Sequence, residues 1–338
     1  IFNNKKIDIN SKYYIIYIMN TLPWVEKFRP TSLDMIKGQD TNIECLEKLI
    51  ENKSLPHLLF YGNSGTGKTS TIMSIINKLF GKNKAFSLMK LDASDDRGIN
   101  SVREEIKGFA EKKNFFNKSI KIIILDEADN MTFDAQFALR RIIEKYSEDT
   151  RFCLICNFEN KIIPAIKSRC ANFKFNPINE DVISNNLEEI CIKEKIKFKT
   201  KSLKIISKLS NGDMRKAINL LQSVYLKDKT LKQKSIYETA GIPSDVTIKK
   251  FLVILNKKIS LEEKINKCKF ILENGYSLSV IINTFFKYIY KNNLLKENFS
   301  KLISDLSDLE NNIAKSTFAE IYFASFICII LKYNFYKI

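Results

Sequence analysis

Leu58-Leu-Phe-Tyr-Gly62-Asn-Ser-Gly-Thr-Gly67-Lys68-Thr69 decides the fold. An apolar run that stops abruptly in glycines reads as a strand running into a tight loop. Beyond the loop, Ile72, Ile75, Ile76, Leu79 and Phe80 recur at helical spacing from Ser70 to Phe80, and Gly81 closes the segment. Strand, Gly-x-x-x-x-Gly-Lys-Thr and helix in this order make a phosphate-binding loop. Its glycines let backbone N–H groups turn inward, and the helix presents its positive end to the anion. The expected cradle is Gly62, Asn63, Ser64, Gly65, Thr66, Gly67, Lys68, Thr69 and Ser70. Lys68 would reach the β- and γ-phosphates of ATP and Thr69 would ligate Mg2+. An accidental Gly-rich turn is the alternative, and the strand and helix on either side argue against it.

Outward from the loop, Phe86 to Leu91, Ile120 to Leu125 and Arg151 to Cys156 are further short apolar strands separated by helical stretches. The alternation predicts an α/β fold with a parallel sheet covered on both faces. The third strand ends in Asp126-Glu127-Ala128-Asp129, placing carboxylates at its C-terminal edge, beside the phosphate loop if the two strands are neighbours. Asp126 would hold the Mg2+ shell, and Glu127 would orient and deprotonate the attacking water. Alone, such a tetrapeptide is equally a solvated strand end or a helix cap. The rhythm stops near Phe173-Lys-Phe-Asn-Pro177; beyond it the chain is helical and Lys-rich, with breaks at Gly212 and Gly241-Ile-Pro243. The expected division is a nucleotide-binding domain over 19–177 and helical domains over 178–240 and 241–338. Met19 is the expected start, with 1–18 a disordered tail or an extension absent from the native chain.

Composition narrows the function classes. Of 338 residues 45% are hydrophobic and 28% charged, which suits a folded protein; the net charge of +17 brings a polyanion partner forward without choosing nucleic acid over an anionic membrane. No uncharged apolar stretch reaches the ~18 residues that cross a bilayer. The seven cysteines form no framework, and the one Cys-x-x-Cys, Cys153 and Cys156, lacks further ligands for a closed zinc site. The single histidine, His57, suits the start of a strand better than a hydrolase triad.

Pro23-Trp-Val25-Glu-Lys-Phe-Arg29-Pro30, Gly62 to Thr69, Ala93-Ser-Asp-Asp-Arg97-Gly98, Asp126 to Asp129, Arg151 to Asn157, Ser168-Arg169-Cys170 and Gly212-Asp-Met-Arg215 follow one another as in replication factor C small subunits. The likeness is to these AAA+ clamp-loader ATPases, and within them to the branch numbered three in fungi and five in animals. It is dense from Leu22 to Arg215 and thin beyond. The resemblance implies a three-layer AAA+ P-loop domain, a helical lid and an all-helical collar that assembles a nuclear heteropentamer. It implies loading of the sliding clamp onto primer–template DNA, with an ATPase stimulated by both and weak in isolation.

Residue by residue, the resemblance implies that Val25 and Arg29 line the adenine pocket, Asn157 positions water near the γ-phosphate and Arg215 reaches the phosphates from the lid. Arg169 would act in trans as an arginine finger in the neighbouring subunit's site. Arg97, Arg103 and Lys107 would track DNA phosphates, and Phe115 and Phe116 would pack on the clamp. Taken singly, each Arg or Asn could be a surface salt bridge or a cap, Ser94 or Asp95 could cap the helix at Arg97, and the aromatics could be core. Arg140-Arg141 reads as a subunit-facing or solvated helix face. Asn63-Ser64 stand where the family often has Pro-Pro, and Asp92 where Asn is common, neither at a catalytic position. Two rivals remain: a scaffold subunit that holds ATP without hydrolysing it, and a DNA-remodelling motor of the same superfamily.

Overall fold

The computed structural model describes residues 22–81, 87–93, 98–111, 120–292, 294, 299–316 and 321–333, with backbone alone for 98–103. The expectation for residues 1–18 lies outside the described residues. The chain divides into two compact units, Ile1–Gln222 and Ser223–Ile338.

The first unit opens with α1 (Trp24–Lys27), a 3-10 turn (Leu33–Met35) and α2 (Asp40–Glu51), followed by β1 (His57–Gly62), α3 (Lys68–Phe80), β2 (Leu88–Asp92) and α4 (Gly98–Glu111). Next come β3 (Lys121–Asp126), a 3-10 turn (Ala128–Asn130), α5 (Phe133–Lys145), β4 (Thr150–Cys156), α6 (Pro164–Lys167) and β5 (Cys170–Phe175). Helices α7 (Glu180–Lys193), α8 (Thr200–Ser210) and α9 (Met214–Asp228) follow. The sheet is parallel throughout in the order β2-β3-β4-β1-β5.

Period-two alternation sorts the central strands' apolar runs onto two faces. Leu58, Phe60, Ile122, Ile124, Cys153 and Ile155 point to one face, where they meet Ile72, Ile75 and Ile76 of α3. Leu59, Ile123, Leu125, Phe152 and Leu154 point to the other, against Ile106 of α4 and Leu139, Ile142 and Ile143 of α5. The result is three layers. Fully buried Phe60 and Phe152 contribute about 1.5–3 kcal/mol each by leaving water.

β5 was not among the strands expected from sequence. It lies at the sheet edge, and its inward Cys170, Phe173 and Phe175 alternate with partly or fully exposed Ala171, Asn172 and Lys174, so no continuous apolar run announces it. The strand order answers a second expectation: β3 is not beside β1, because β4 lies between them.

The second unit is helical among its described residues: α10 (Gln233–Ala240), α11 (Asp245–Leu255), α12 (Leu261–Cys268), α13 (Phe270–Glu273), α14 (Leu278–Lys291), α15 (Phe299–Lys315) and α16 (Tyr322–Lys332). Ser244 and Ser260 cap α11 and α12 by accepting from the N–H groups of Thr247 and Glu263. Phe251, Phe285 and Phe326 are fully buried at its centre, with ring centroids 5.4–6.4 Å apart.

Candidate active site

Val25, Arg29, Ser64 to Ser70, Asp126, Glu127, Asn157 and Arg215 line one cleft at the C-terminal edge of the sheet. The loop leaving β1 makes this possible. Gly62, Gly65 and Gly67 have φ of 138°, 67° and 103°, the left-handed region that glycine enters without a Cβ penalty. The following α3 starts at Lys68, so its unpaired N–H groups face the cleft.

Lys68 Nζ donates to the carbonyls of Gly62 (2.6 Å) and Asn63 (2.8 Å) and to Asn157 Oδ1 (3.1 Å). All three hydrogen-bond acceptors are neutral, so the ammonium makes no direct ion pair among the described residues. Burial pulls its pKa below the ordinary lysine value, and Arg215 adds to that pull, while Asp126 and Asp129 oppose it. Thr69 Oγ1 lies 3.2 Å from Asp126 Oδ2. Lys68 therefore touches the residue after β4, and Thr69 touches the end of β3. Consecutive loop residues read consecutive strands, which is how Asp126 reaches the loop across an intervening strand.

Glu127 is exposed and has φ 53°, a left-handed conformation in a residue with a Cβ. Asn130 restrains it: Nδ2 donates to Glu127 Oε2 at 3.0 Å, and the Asn130 N–H donates to the Glu127 carbonyl at 2.9 Å. On the lid side, the Met214 N–H donates to Gly65 O at 3.1 Å, so the start of α9 rests on the phosphate loop. Ile178, Asn186, Met214 and Ile218 complete that wall. Sequence reading did not single them out, nor Phe28 and Ile36: Ile36, Ile178, Asn186 and Ile218 belong to no motif, and Phe28 and Met214 stand inside quoted runs without a polar group to mark them.

The remaining expected site residues lie elsewhere. Arg169 is outside the cleft, with Nη1 donating to Ala165 O at 2.7 Å and Nη2 ion-paired with Glu144, which also accepts from Arg140 Nε at 2.9 Å. Arg140 thus sits in an intramolecular pair, while Arg141 is exposed. Lys107 is exposed, 4.0 Å from Glu111. Arg97, Phe115, Phe116 and the Arg103 side chain lie outside the described residues. Phe109 packs on the α4/α5 core face.

His57 opens β1, and its Nδ1 accepts from the Phe152 N–H at 3.2 Å; burial and then Arg151 push its pKa down to about 4. The buried Cys153 and Cys156 thiols are pushed up by burial, Cys156 to about 12, which makes them poor nucleophiles. No group of metal-binding side chains of the His/Cys/Asp/Glu type occurs among the described residues, and no described helix is long and apolar enough to cross a membrane. The hydroxyl and carboxylate of Thr69 and Asp126 form a hard-oxygen pair suited to Mg2+, and the ammonium of Lys68 suits a phosphate.

Comparison with known proteins agrees in kind. Residues 58–177 match the ATPase family associated with various cellular activities (AAA), 185–226 the RCF1/5-like AAA+ ATPase lid domain, and 243–328 the replication factor C C-terminal domain. A Dictyostelium discoideum protein described as "Probable replication factor C subunit 5" is 43% identical over 92% of this chain and 90% of its own length. The chain belongs to the replication factor C subunit family. Replication factor C subunit 3 of Saccharomyces cerevisiae is 40% identical over 87% of this chain and 88% of its own. Subunit 5 of Homo sapiens is 39% identical over 91% of each. Among solved structures, the Thermotoga maritima RuvB Holliday junction branch migration motor shares the fold, with TM-score 0.51 and 16% identity over 80% of this chain and 92% of that one. Family membership makes the chain an AAA-type ATPase subunit with a lid and a C-terminal helical domain.

Proposed function

We propose that this replication factor C subunit binds and hydrolyses ATP as one member of a nuclear heteropentameric clamp loader that places the sliding clamp on primer–template DNA. The observation that carries the catalytic part is the meeting of Lys68, Thr69, Asp126, Glu127 and Asn157 in one cleft. A scaffold that only held nucleotide would have no need of Glu127 on a strained turn.

Val25 and Arg29 flank the base, and Arg215 approaches the phosphates from the lid. The loop N–H groups and the α3 N-terminus hold the phosphates. Lys68 exchanges its carbonyl partners for phosphate oxygens while Asn157 keeps its orientation toward the γ-position. Thr69 and Asp126 would hold Mg2+, which would supply charge neutralisation for the phosphates. Glu127 orients a water and takes its proton as the new bond forms. Arg169 stabilises the transition-state charge in a neighbouring subunit's site, so an isolated chain turns over slowly. Arg97, Arg103 and Lys107 are assigned to DNA phosphates, and Phe115 and Phe116 to the clamp. The domain limits 19–177, 178–240 and 241–338 belong to the same reading.

The test is ATP turnover of the complex co-expressed with partner subunits, with and without primed DNA and clamp. Stimulation lost in both Glu127→Gln and Arg169→Ala supports the reading. Turnover unchanged in both leaves the scaffold reading ahead.

A further inference from the structure

Asp129 ends the Asp-Glu-Ala-Asp run and does not line the cleft. It is only 8% exposed, and burying a carboxylate is costly unless its oxygens are well partnered. Its Oδ2 accepts two N–H groups from across the sheet edge, those of Asn157 and Phe158, each at 3.3 Å. Its Oδ1 is equally buried and has no hydrogen-bond partner among the described residues. A carboxylate kept in so poorly compensated a position needs a return beyond packing.

The two ends of that contact indicate the return. Asp129 sits in the 3-10 turn that Glu127 opens in its left-handed conformation, a strain that persists only when surrounding contacts over-determine it. Asn130 holds that turn from within, whereas Asp129 ties it by its own side chain to the first two residues that follow β4. At the other end, fixing the N–H groups of residues 157 and 158 fixes the backbone from which Asn157 reaches Lys68 Nζ at 3.1 Å. One side chain therefore joins the element bearing Glu127 to the element bearing Asn157, and through Asn157 to the phosphate-loop lysine.

We propose that Asp129 is a positioning residue that sets the distance between Glu127 and Asn157, so that the water and the γ-phosphate meet in register. The inference rests on the ATPase reading above. Charge-assisted bonds are about twice as strong as neutral ones, so an amide in place of the carboxylate loosens the tie without removing its shape. Geometry at a reacting centre is steeply rewarded, an ångström of misplacement costing about 100-fold.

The experiment uses the assembled complex, with the partner subunits' own catalytic glutamates changed to Gln so that turnover reports this site. Asp129→Asn, which is isosteric, is expected to lower kcat about tenfold, and Asp129→Ala about 100-fold. The Kd for a fluorescent ATP analogue should stay within about twofold in both, and Asp129→Asn should keep the thermal midpoint of the wild type. If kcat is unchanged in both variants while the wild type turns over, the inference is wrong and the ATPase reading stands. A loss of kcat, nucleotide affinity and thermal midpoint in parallel in Asp129→Asn also overturns it, because Asp129 is then a packing residue. A wild-type complex that binds the analogue without hydrolysing ATP refutes the ATPase reading, and this inference falls with it.

Discussion

Gly62 is where the phosphate loop is most exposed to a single substitution. It pairs with Phe175 of β5 and has φ 138°. A Cβ built there would stand 2.2 Å from the Phe175 carbonyl oxygen and 3.1 Å from its carbon. Both atoms are backbone, and Phe175 is fixed by burial and by the Phe60 ring at 5.1 Å, so relief requires β1 and β5 to separate. Strain at an unfavourable φ costs about 1–3 kcal/mol and overpacking about 1–3 kcal/mol more. Gly62→Ala is thus expected to cost about 2–6 kcal/mol of the ~5–15 available to a domain. Gly81→Ala separates the two contributions, because Gly81 has φ 52° and ψ −119° but its Cβ would meet nothing within 4 Å; its expected cost is about 1–3 kcal/mol, from backbone strain alone. Trp24, the single tryptophan, is buried in the first unit. Urea unfolding followed by its fluorescence therefore reports that unit. A Gly62→Ala variant no less stable than Gly81→Ala would refute the steric argument.

Three further outcomes are expected from the same assay. His57 is depressed to about 4, so from pH 7 to 5 the unfolded state takes up a proton that the folded state refuses; stability should fall by about 1 kcal/mol after allowing for solvent screening. His57→Gln should flatten that slope. Gln136 is 1% exposed and bridges α5 to the segment before α6, donating to Lys161 O and accepting from the Ile163 N–H, both at 2.9 Å. Gln136→Leu leaves that buried N–H unpaired and should cost about 1–3 kcal/mol. Lys27 Nζ stands 2.6 Å from Glu194 Oε1, about one-fifth exposed on each side, so a cycle of Lys27→Met, Glu194→Gln and both together should show a coupling of about 0.5–1 kcal/mol that shrinks with added salt.

The central strands and the phosphate loop were legible because burial on both faces demands continuous apolar runs, as in Ile122 to Leu125, and because glycine spacing has few other uses. β5 was not, since an edge strand alternates Phe173, Lys174 and Phe175 and resembles a loop margin. Strand order was not legible either: nothing local in Thr150–Cys156 says that it inserts between β1 and β3. The catalytic candidates survived that omission because successive loop residues, Lys68 and Thr69, address the ends of successive strands. The lid wall was illegible for a different reason. Asn186 and Ile218 reach the cleft through the packing of α7 and α9, which is set by tertiary contacts rather than by local pattern.

Arg169 shows the limit from the other side. Its sequence context points to a site, but a fold of one chain offers that site no phosphate to meet. Here the guanidinium is only partly buried and pairs with Glu144, whose carboxyl is held below its ordinary range first by the Arg140 hydrogen bond and then by the charges of Arg140 and Arg169. Glu144 would keep Arg140 as a cationic partner if Arg169 reached a neighbouring subunit's site as proposed above, so the move would strand no lone carboxylate. An exposed pair of this kind is weak and screened, whereas a phosphoryl group offers several charged oxygens in a drier setting. On the reading proposed above, the pair with Glu144 would park the finger on its own subunit until a neighbouring nucleotide site docks. Glu144→Gln should leave assembly intact and raise, or leave unchanged, the turnover of the neighbouring site in the complex. A loss comparable to that of Arg169→Ala would mean instead that Glu144 aims the arginine rather than parking it.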